Sequence, residues 1–169
     1  HQVLENPAQH DPVYKVCQRI FHQNSDLILT RKNALRRKIR NQALRRFFFF
    51  FPPRKKNDTS IGDAINWEWM VHCAFIKKAE LVIVSRDADY GVSYDKSSYI
   101  NDHLKHEFSE RVSQKRKLIL CSKLSDALKH FKVTVTQQEI AEEDLIIQSA
   151  QHAQPTISAS SNLTEENPM

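Results

Sequence analysis

Two aspartates, Asp87 and Asp89, stand just past the most apolar run of the chain, Leu81 to Val84, in the stretch "LVIVSRDADYG". A third, Asp63, opens the mostly apolar segment that precedes them. Carboxylates gathered in one place repel each other unless a cation joins them. Oxygen-only donors suit a hard divalent ion, Mg2+ or Mn2+, and need no Cys or His. An ion held in this way activates water and neutralises charge on a phosphodiester undergoing in-line attack. Each residue also has a plainer reading: Asp63 as an acid at a helix start, Asp87 and Asp89 as turn residues after a strand. Glu68, one turn on from Asp63, is a weaker metal candidate and reads first as an ion-paired residue.

For these side chains to meet, the elements that carry them must be ordered in a particular way. Asp11-Pro12 opens a helix with a capping acid and a proline at the first helical position. Val13, Val16, Cys17, Ile20 and Phe21 follow at helical spacing. Leu27 to Thr30 reads as a short strand. Arg31 to Arg46 reads as a basic amphipathic helix with the ridge Leu35, Ile39 and Ala43. Ser60 and Asp63 have capping-box spacing, ahead of a helix to about Lys78 whose apolar surface is Ala64, Trp67, Met70, Val71, Ala74 and Phe75. Leu81 to Val84 is then a strand and Tyr94 to Tyr99 a loop. A helix from Asn101 turns Leu104 and Phe108 inward. Lys117 to Cys121 is a strand, Ser122 to Phe131 a helix with Leu124 and Leu128 inward, and Val133 to Thr136 a short strand. Thr136 and Glu139 open a last helix, to about Gln151. Strands separated by helices predict a mainly parallel sheet with both faces covered, a three-layer α/β/α arrangement. Ligands of such sheets bind beyond the carboxyl ends of the strands, where "SRDADYG" falls. A helix antiparallel to its following strand brings Asp63 to the same edge.

Composition narrows the function classes. The 169 residues are 40% hydrophobic and 27% charged, an ordinary globular balance with room for one core. Residues 1–151 are expected to form one domain and 152–169 a disordered polar tail. With only two glycines, Gly62 and Gly91, Walker and dinucleotide phosphate loops are excluded. Three scattered cysteines without a CxxC fit free thiols in a reducing, cytoplasmic setting. No membrane segment is expected, because the run Phe47 to Phe51 is far too short to span a bilayer. It reads instead as a deeply buried segment. The net charge is +5, and its distribution says more. Between Leu27 and Asn57 there is no acid, while Arg45, Arg46, Arg54, Lys55 and Lys56 belong to a dense basic block. Such a block suits a polyanion. With Arg86 beside the aspartates, these six residues are the candidate nucleic-acid contacts.

A DxD after a strand also occurs in haloacid dehalogenase-type phosphatases and in the nucleotidyl-transfer module of topoisomerases and primases. The first places it after the first strand, followed by threonine or valine. The second pairs it with a glutamate at a glycine-containing strand end. Neither pattern is present. By contrast, "NDTSIGDAINWEWMVHC" followed by "LVIVSRDADYG" resembles the C-terminal half of a PIN-like domain. "YINDHLKHEF" and "KLSDALK" extend the resemblance to about Asp144. It implies a parallel α/β fold and a metal-dependent nuclease of a kind that acts mostly on RNA, while the residues themselves leave RNA and DNA open. Asp63 and Asp87 match two metal-binding positions, and Asp89 is a further ligand. A protein regulator is an additional partner that the resemblance implies. The family's opening strand, ending in a metal-binding Asp, has no counterpart here. The fold is therefore expected to be incomplete at its N-terminus, and a nuclease-like module that binds RNA or a protein without cutting is the alternative.

Overall fold

The computed structural model describes residues 11–23, 25–54, 59–95 and 97–152. Most of the expected polar tail lies outside the described residues. Helix α1 (Pro12–His22) starts as its sequence requires: Asp11 Oδ1 accepts the amides of Val13 (2.8 Å) and Tyr14 (3.2 Å). Its apolar residues Val13, Val16 and Ile20 face solvent rather than a core. Leu27 to Thr30 is not a strand. Its amides bond locally, Leu27 to Ser25 Oγ and Ile28 to the Ser25 carbonyl, and the Leu27 carbonyl accepts Trp69 Nε1 at 2.8 Å. These groups serve turns and a side chain, so no ladder forms.

Helix α2 (Arg36–Phe48) begins later than its charge pattern predicts. Asn33 holds the preceding turn, its Oδ1 on the Leu35 amide and its carbonyl on the Arg36 amide. The ridge is real: Ile39 and Ala43 are buried against helix α3 (Gly62–Lys77). In α3, Ala64, Trp67, Val71 and Ala74 are buried as expected, but Phe75 is exposed. The predicted capping box is absent. Ile61 occupies the cap position, and Ser60 Oγ accepts the Gly62 amide at 3.1 Å. Asp63 remains in the first turn, where a negative charge is favoured by the helix dipole.

Strand β1 (Leu81–Val84) pairs in parallel with β4 (Leu118–Cys121), Leu81 opposite Leu118 and Val84 opposite Cys121. Between them, the segment expected as a loop is an antiparallel hairpin, β2 (Gly91–Tyr94) and β3 (Ser97–Ile100), with β3 running beside β4. The Ser-rich sequence hides this hairpin because its strands are mostly exposed and lack the apolar alternation that marks a half-buried strand. Helix α4 (Asp102–Arg111), capped by Asn101, turns Leu104 and Phe108 into the core with Trp67, Val71, Ile83, Tyr90 and Leu120. The fold is thus a mixed α/β architecture with a parallel strand pair, as the sequence predicts.

Helix α5 (Leu124–His130) buries Ser125 and Ala127, whereas Leu124 is exposed. Val133 to Thr136 is extended chain rather than a strand. The Val133 amide closes α5 on the Leu128 carbonyl, and the Thr136 amide bonds Glu139 in the predicted capping box of α6 (Gln137–His152). With glycine so scarce, other residues terminate the helices. Phe50, Lys78 and Lys132 take positive φ after α2, α3 and α5, and the following amide reaches back five residues in each case. This closure ordinarily selects glycine.

Glu143 of α6 staples the two C-terminal helices. Its carboxylate accepts the Leu124 amide (2.6 Å) and the Ser125 amide (3.1 Å) at the start of α5, and Lys123 pairs with Asp144 at 2.6 Å. Burial pushes the Glu143 carboxyl up, but the bonds from Ser125 and Leu124 and the Lys123 charge outweigh it and hold the group below its ordinary value. A carboxyl depressed in the folded state stabilises above its unfolded pKa and loses that contribution as pH falls through the folded one. Chemical denaturation of wild type should therefore lose stability as pH is lowered from about 5 to 3. Glu143→Gln should be weaker at neutral pH and lose less over that window.

Candidate functional site

The core reaches the candidate site through one residue, Tyr90. Its side chain is buried among Trp67, Ile83 and Leu120. Its amide bonds the Asp87 carbonyl (3.2 Å), and its own carbonyl accepts the Asn101 amide (2.8 Å). The loop from Ser85 to Tyr90 is therefore fixed at both ends. Upstream, the Ser85 amide continues the β1–β4 ladder onto the Cys121 carbonyl at 3.0 Å, and Ser85 Oγ accepts the Asp87 amide at 3.1 Å. Downstream, Gly91 has φ +157°, and a Cβ there would lie 2.0 Å from the Tyr99 carbonyl oxygen and 2.8 Å from Leu120 Cδ2. Only glycine lets the chain pass so close to the hairpin.

The charges of the three predicted carboxylates all act on this residue. The Tyr90 phenol is pushed up to about 12, first by burial and then by the charges of Asp63, Asp87 and Asp89. Asp63 stands on the first turn of α3, and Asp87 and Asp89 lie in the loop that follows β1. Three carboxylates and a phenol form an all-oxygen set, the chemistry that a hard divalent cation selects. Among the described residues, no three Asp, Glu, His or Cys side chains stand close enough together to hold an ion. The donor chemistry fits such a metal without forming a closed cage.

Glu68 lies elsewhere. It is buried, and each of its oxygens meets a different arginine: Oε1 accepts Arg46 Nε at 3.0 Å and Oε2 accepts Arg111 Nη2 at 2.7 Å. Both arginines also donate to Glu107, whose other oxygen accepts Trp67 Nε1 at 3.1 Å. Two cations and two anions close a square that ties α2, α3 and α4 together. Burial opposes the charge of Arg111, but Glu68 and Glu107 outweigh it and hold the guanidinium above its ordinary value.

The predicted nucleic-acid contacts divide. Arg45 is exposed on α2, whereas Arg46 is turned inward onto Glu68, Glu107 and the Pro52 carbonyl. Arg54 is half-buried, with its guanidinium 4.0 Å from the ring centres of both Phe47 and Phe50 and a bond to the Phe47 carbonyl. Lys55 and Lys56 lie outside the described residues. Arg86 is exposed and, with Ser85 and Ser122, lines a groove of about 710 Å³ whose far wall includes Leu124, Ile146 and Glu142. Sequence reasoning missed that groove. The signal was an acidic last helix whose apolar residues have no strand to cover. The expectation of a deeply buried phenylalanine run is wrong: Phe48, Phe49, Phe50 and Phe51 are all exposed. Burial raises the thiols of Cys73 and Cys121, which makes them poor nucleophiles.

Two measurements check this geometry. Gly91→Ala should lower the unfolding free energy by about 2 kcal/mol or more, because the added methyl meets backbone and a core leucine. Arg46→Met should cost about 3–5 kcal/mol by leaving Glu68 and Glu107 under-compensated, and the double variant Arg46→Met/Glu68→Gln should recover part of that loss. A double-variant loss equal to the sum of the losses of Arg46→Met and Glu68→Gln would show that the two residues are not coupled.

A family model for the PIN domain matches residues 3–90, more than half of the chain. The match takes in Asp63, Asp87 and Asp89 and ends at Tyr90, before the later segments that also resemble the family. No curated protein and no solved structure matches. On the strength of that match, the chain belongs to the PIN domain family, a nuclease superfamily whose members generally use divalent metal ions.

Proposed function

We propose that this chain is a metal-dependent endonuclease that hydrolyses phosphodiester bonds of RNA. The observation that carries the reading is the PIN-domain match over residues 3–90, which takes in Asp63, Asp87 and Asp89; the charges of all three act on the Tyr90 phenol. These three carboxylates would hold Mg2+ or Mn2+. When bound, the ion supplies water activation and charge neutralisation at the scissile phosphate. Glu68, engaged by Arg46 and Arg111, stays outside this set. With its pKa raised to about 12 by burial and the three aspartate charges, Tyr90 keeps its proton across neutral pH. Ser85 holds the loop through the Asp87 amide, and Arg86 is available to a phosphate. Arg45, with Lys55 and Lys56, would neutralise backbone phosphates, which makes binding steeply salt-dependent. Three free cysteines suit a reducing, cytoplasmic setting.

A second reading keeps the RNA and drops the chemistry: a nuclease-like module that binds RNA or a protein regulator without cleaving. It is favoured by the absence, among the described residues, of three ligating groups at coordinating spacing. RNA cleavage by the whole chain in Mn2+ or Mg2+, against a chelator control, separates the two. The expected result is metal-dependent cleavage that falls at least about 100-fold in Asp63→Asn, Asp87→Asn and Asp89→Asn. Mn2+ should also raise the unfolding temperature, and Asp87→Asn should abolish that rise. Equal cleavage by Asp63→Asn and wild type would sink the assignment. Chelator-insensitive binding without cleavage would establish the second reading.

A further inference from the structure

Four consecutive phenylalanines, Phe48 to Phe51, are 71%, 66%, 72% and 53% exposed. An apolar surface this concentrated marks an interaction site. Phe50, with Phe47, is accounted for by the Arg54 guanidinium that stacks between them. Phe48, Phe49 and Phe51 are not. A hollow of about 450 Å³ on α2 is lined by Arg37, Lys38, Asn41, Gln42 and Arg45. A second, of about 240 Å³, is bordered by Gln42 and Arg45 again and by Phe49 and Phe51. The shared residues make the two hollows one track, cationic and amide-bearing at one end and aromatic at the other. Glu68 also borders the second hollow, with its charge already met by Arg46 and Arg111.

We propose that this track binds a single-stranded polynucleotide: phosphates lie along Arg37, Lys38 and Arg45, and unpaired bases stack on Phe48, Phe49 and Phe51. The inference rests on the nucleic-acid reading above but not on its chemistry. Charge chooses the occupant, since no acid occurs between Leu27 and Asn57. Ring geometry supports the same choice. Phe49 and Phe51 are tilted by 48° at 6.4 Å, and Phe48 stands edge-on to Phe47 at 80°. Phe49 and Phe51 are thus not coplanar, so each presents its own face. The location also suits a nuclease. Arg46 meets Glu68, whereas Leu35 shares a hollow with Trp69 and Ile76, so α2 and α3 run antiparallel. The phenylalanines therefore leave α2 toward the end of α3 that carries Asp63.

The test measures affinity of the full chain in chelator, by fluorescence anisotropy, for labelled single strands of about twelve nucleotides and for a duplex. RNA and DNA strands form separate arms. Wild type should prefer single strands. Phe48→Ser/Phe49→Ser/Phe51→Ser should bind them at least about tenfold more weakly, with duplex affinity and unfolding midpoint unchanged. Phe49→Ser alone should show part of that loss, and Arg37→Ala/Arg45→Ala should flatten the salt dependence. Unaltered single-strand affinity in the triple variant overturns the proposal. So does equal wild-type affinity for duplex, or a patch that partitions into anionic vesicles and ignores polynucleotides. Phenylalanine-dependent binding without cleavage would leave the platform standing and remove the nuclease reading. Metal-dependent cleavage indifferent to the phenylalanines would do the reverse.

Discussion

Arg46, Glu68, Glu107 and Arg111 form the constraint on which the rest of the arrangement depends. They come from three helices, and Arg46 and Glu68 are almost wholly removed from solvent. Neither of these two charges can be buried singly, and the half-buried Glu107 and Arg111 complete their pairing. Each must find its partners at hydrogen-bond distance, and that requirement admits one relative placement of α2, α3 and α4. Apolar packing of Ile39 and Ala43 on α3 would tolerate a shift along the helix axis. The two-arginine, two-glutamate square would not. Because α3 carries Asp63 five residues before Glu68, about 7 Å along the axis, fixing the square also fixes where that carboxylate stands.

The other half of the site is held by different physics. Asp87 and Asp89 sit in a loop with no regular structure of its own, between a core strand and a hairpin. Tyr90 anchors it by putting an apolar ring into the core, and Gly91 lets the chain turn onto β3 without a side chain in the way. The ring is also where the carboxylates are felt. Burial alone disfavours the phenolate, and three neighbouring negative charges disfavour it further. A residue that looks like simple core filling thus reports on the electrostatics of the edge it anchors.

How much of this was legible in the sequence depends on whether a feature is local. The Asp11 cap, the Thr136–Glu139 box, the β1 and β4 strands and the inward face of α4 were all readable, because short-range spacing determines them. Element order also led to the expectation that Asp63 meets Asp87 and Asp89; all three charges act on Tyr90, but among the described residues no three ligating side chains stand close enough to hold an ion. Leu27 to Thr30 and Val133 to Thr136 were misread as strands because apolar residues were present without a ladder partner. The hairpin was missed for the opposite reason: its partner is local, but its strands are mostly exposed and carry three serines. Arg46 is the most instructive case. Nothing in "ALRRFF" separates Arg45 from Arg46, yet one is exposed and the other is buried against acids 22 and 61 residues away in sequence. Glu68 was rightly suspected of an ion pair, but its partners were invisible to spacing.

The phenylalanine run shows how one such inward arginine reorganises its surroundings. Arg46 donates to the Pro52 carbonyl, which draws the chain after α2 back across the helix end. To make that return, the helix must stop abruptly, and Phe50 takes a left-handed conformation that costs a non-glycine residue about 1–2 kcal/mol. The Phe50 and Phe51 amides then close on the Phe47 and Arg46 carbonyls. The reversal places Phe47 and Phe50 on either side of Arg54 and turns Phe48, Phe49 and Phe51 outward. Five identical apolar residues cannot tell inside from outside by pattern. The charge square does it for them, so the same interaction that sets the position of Asp63 also determines which aromatic rings the surface presents.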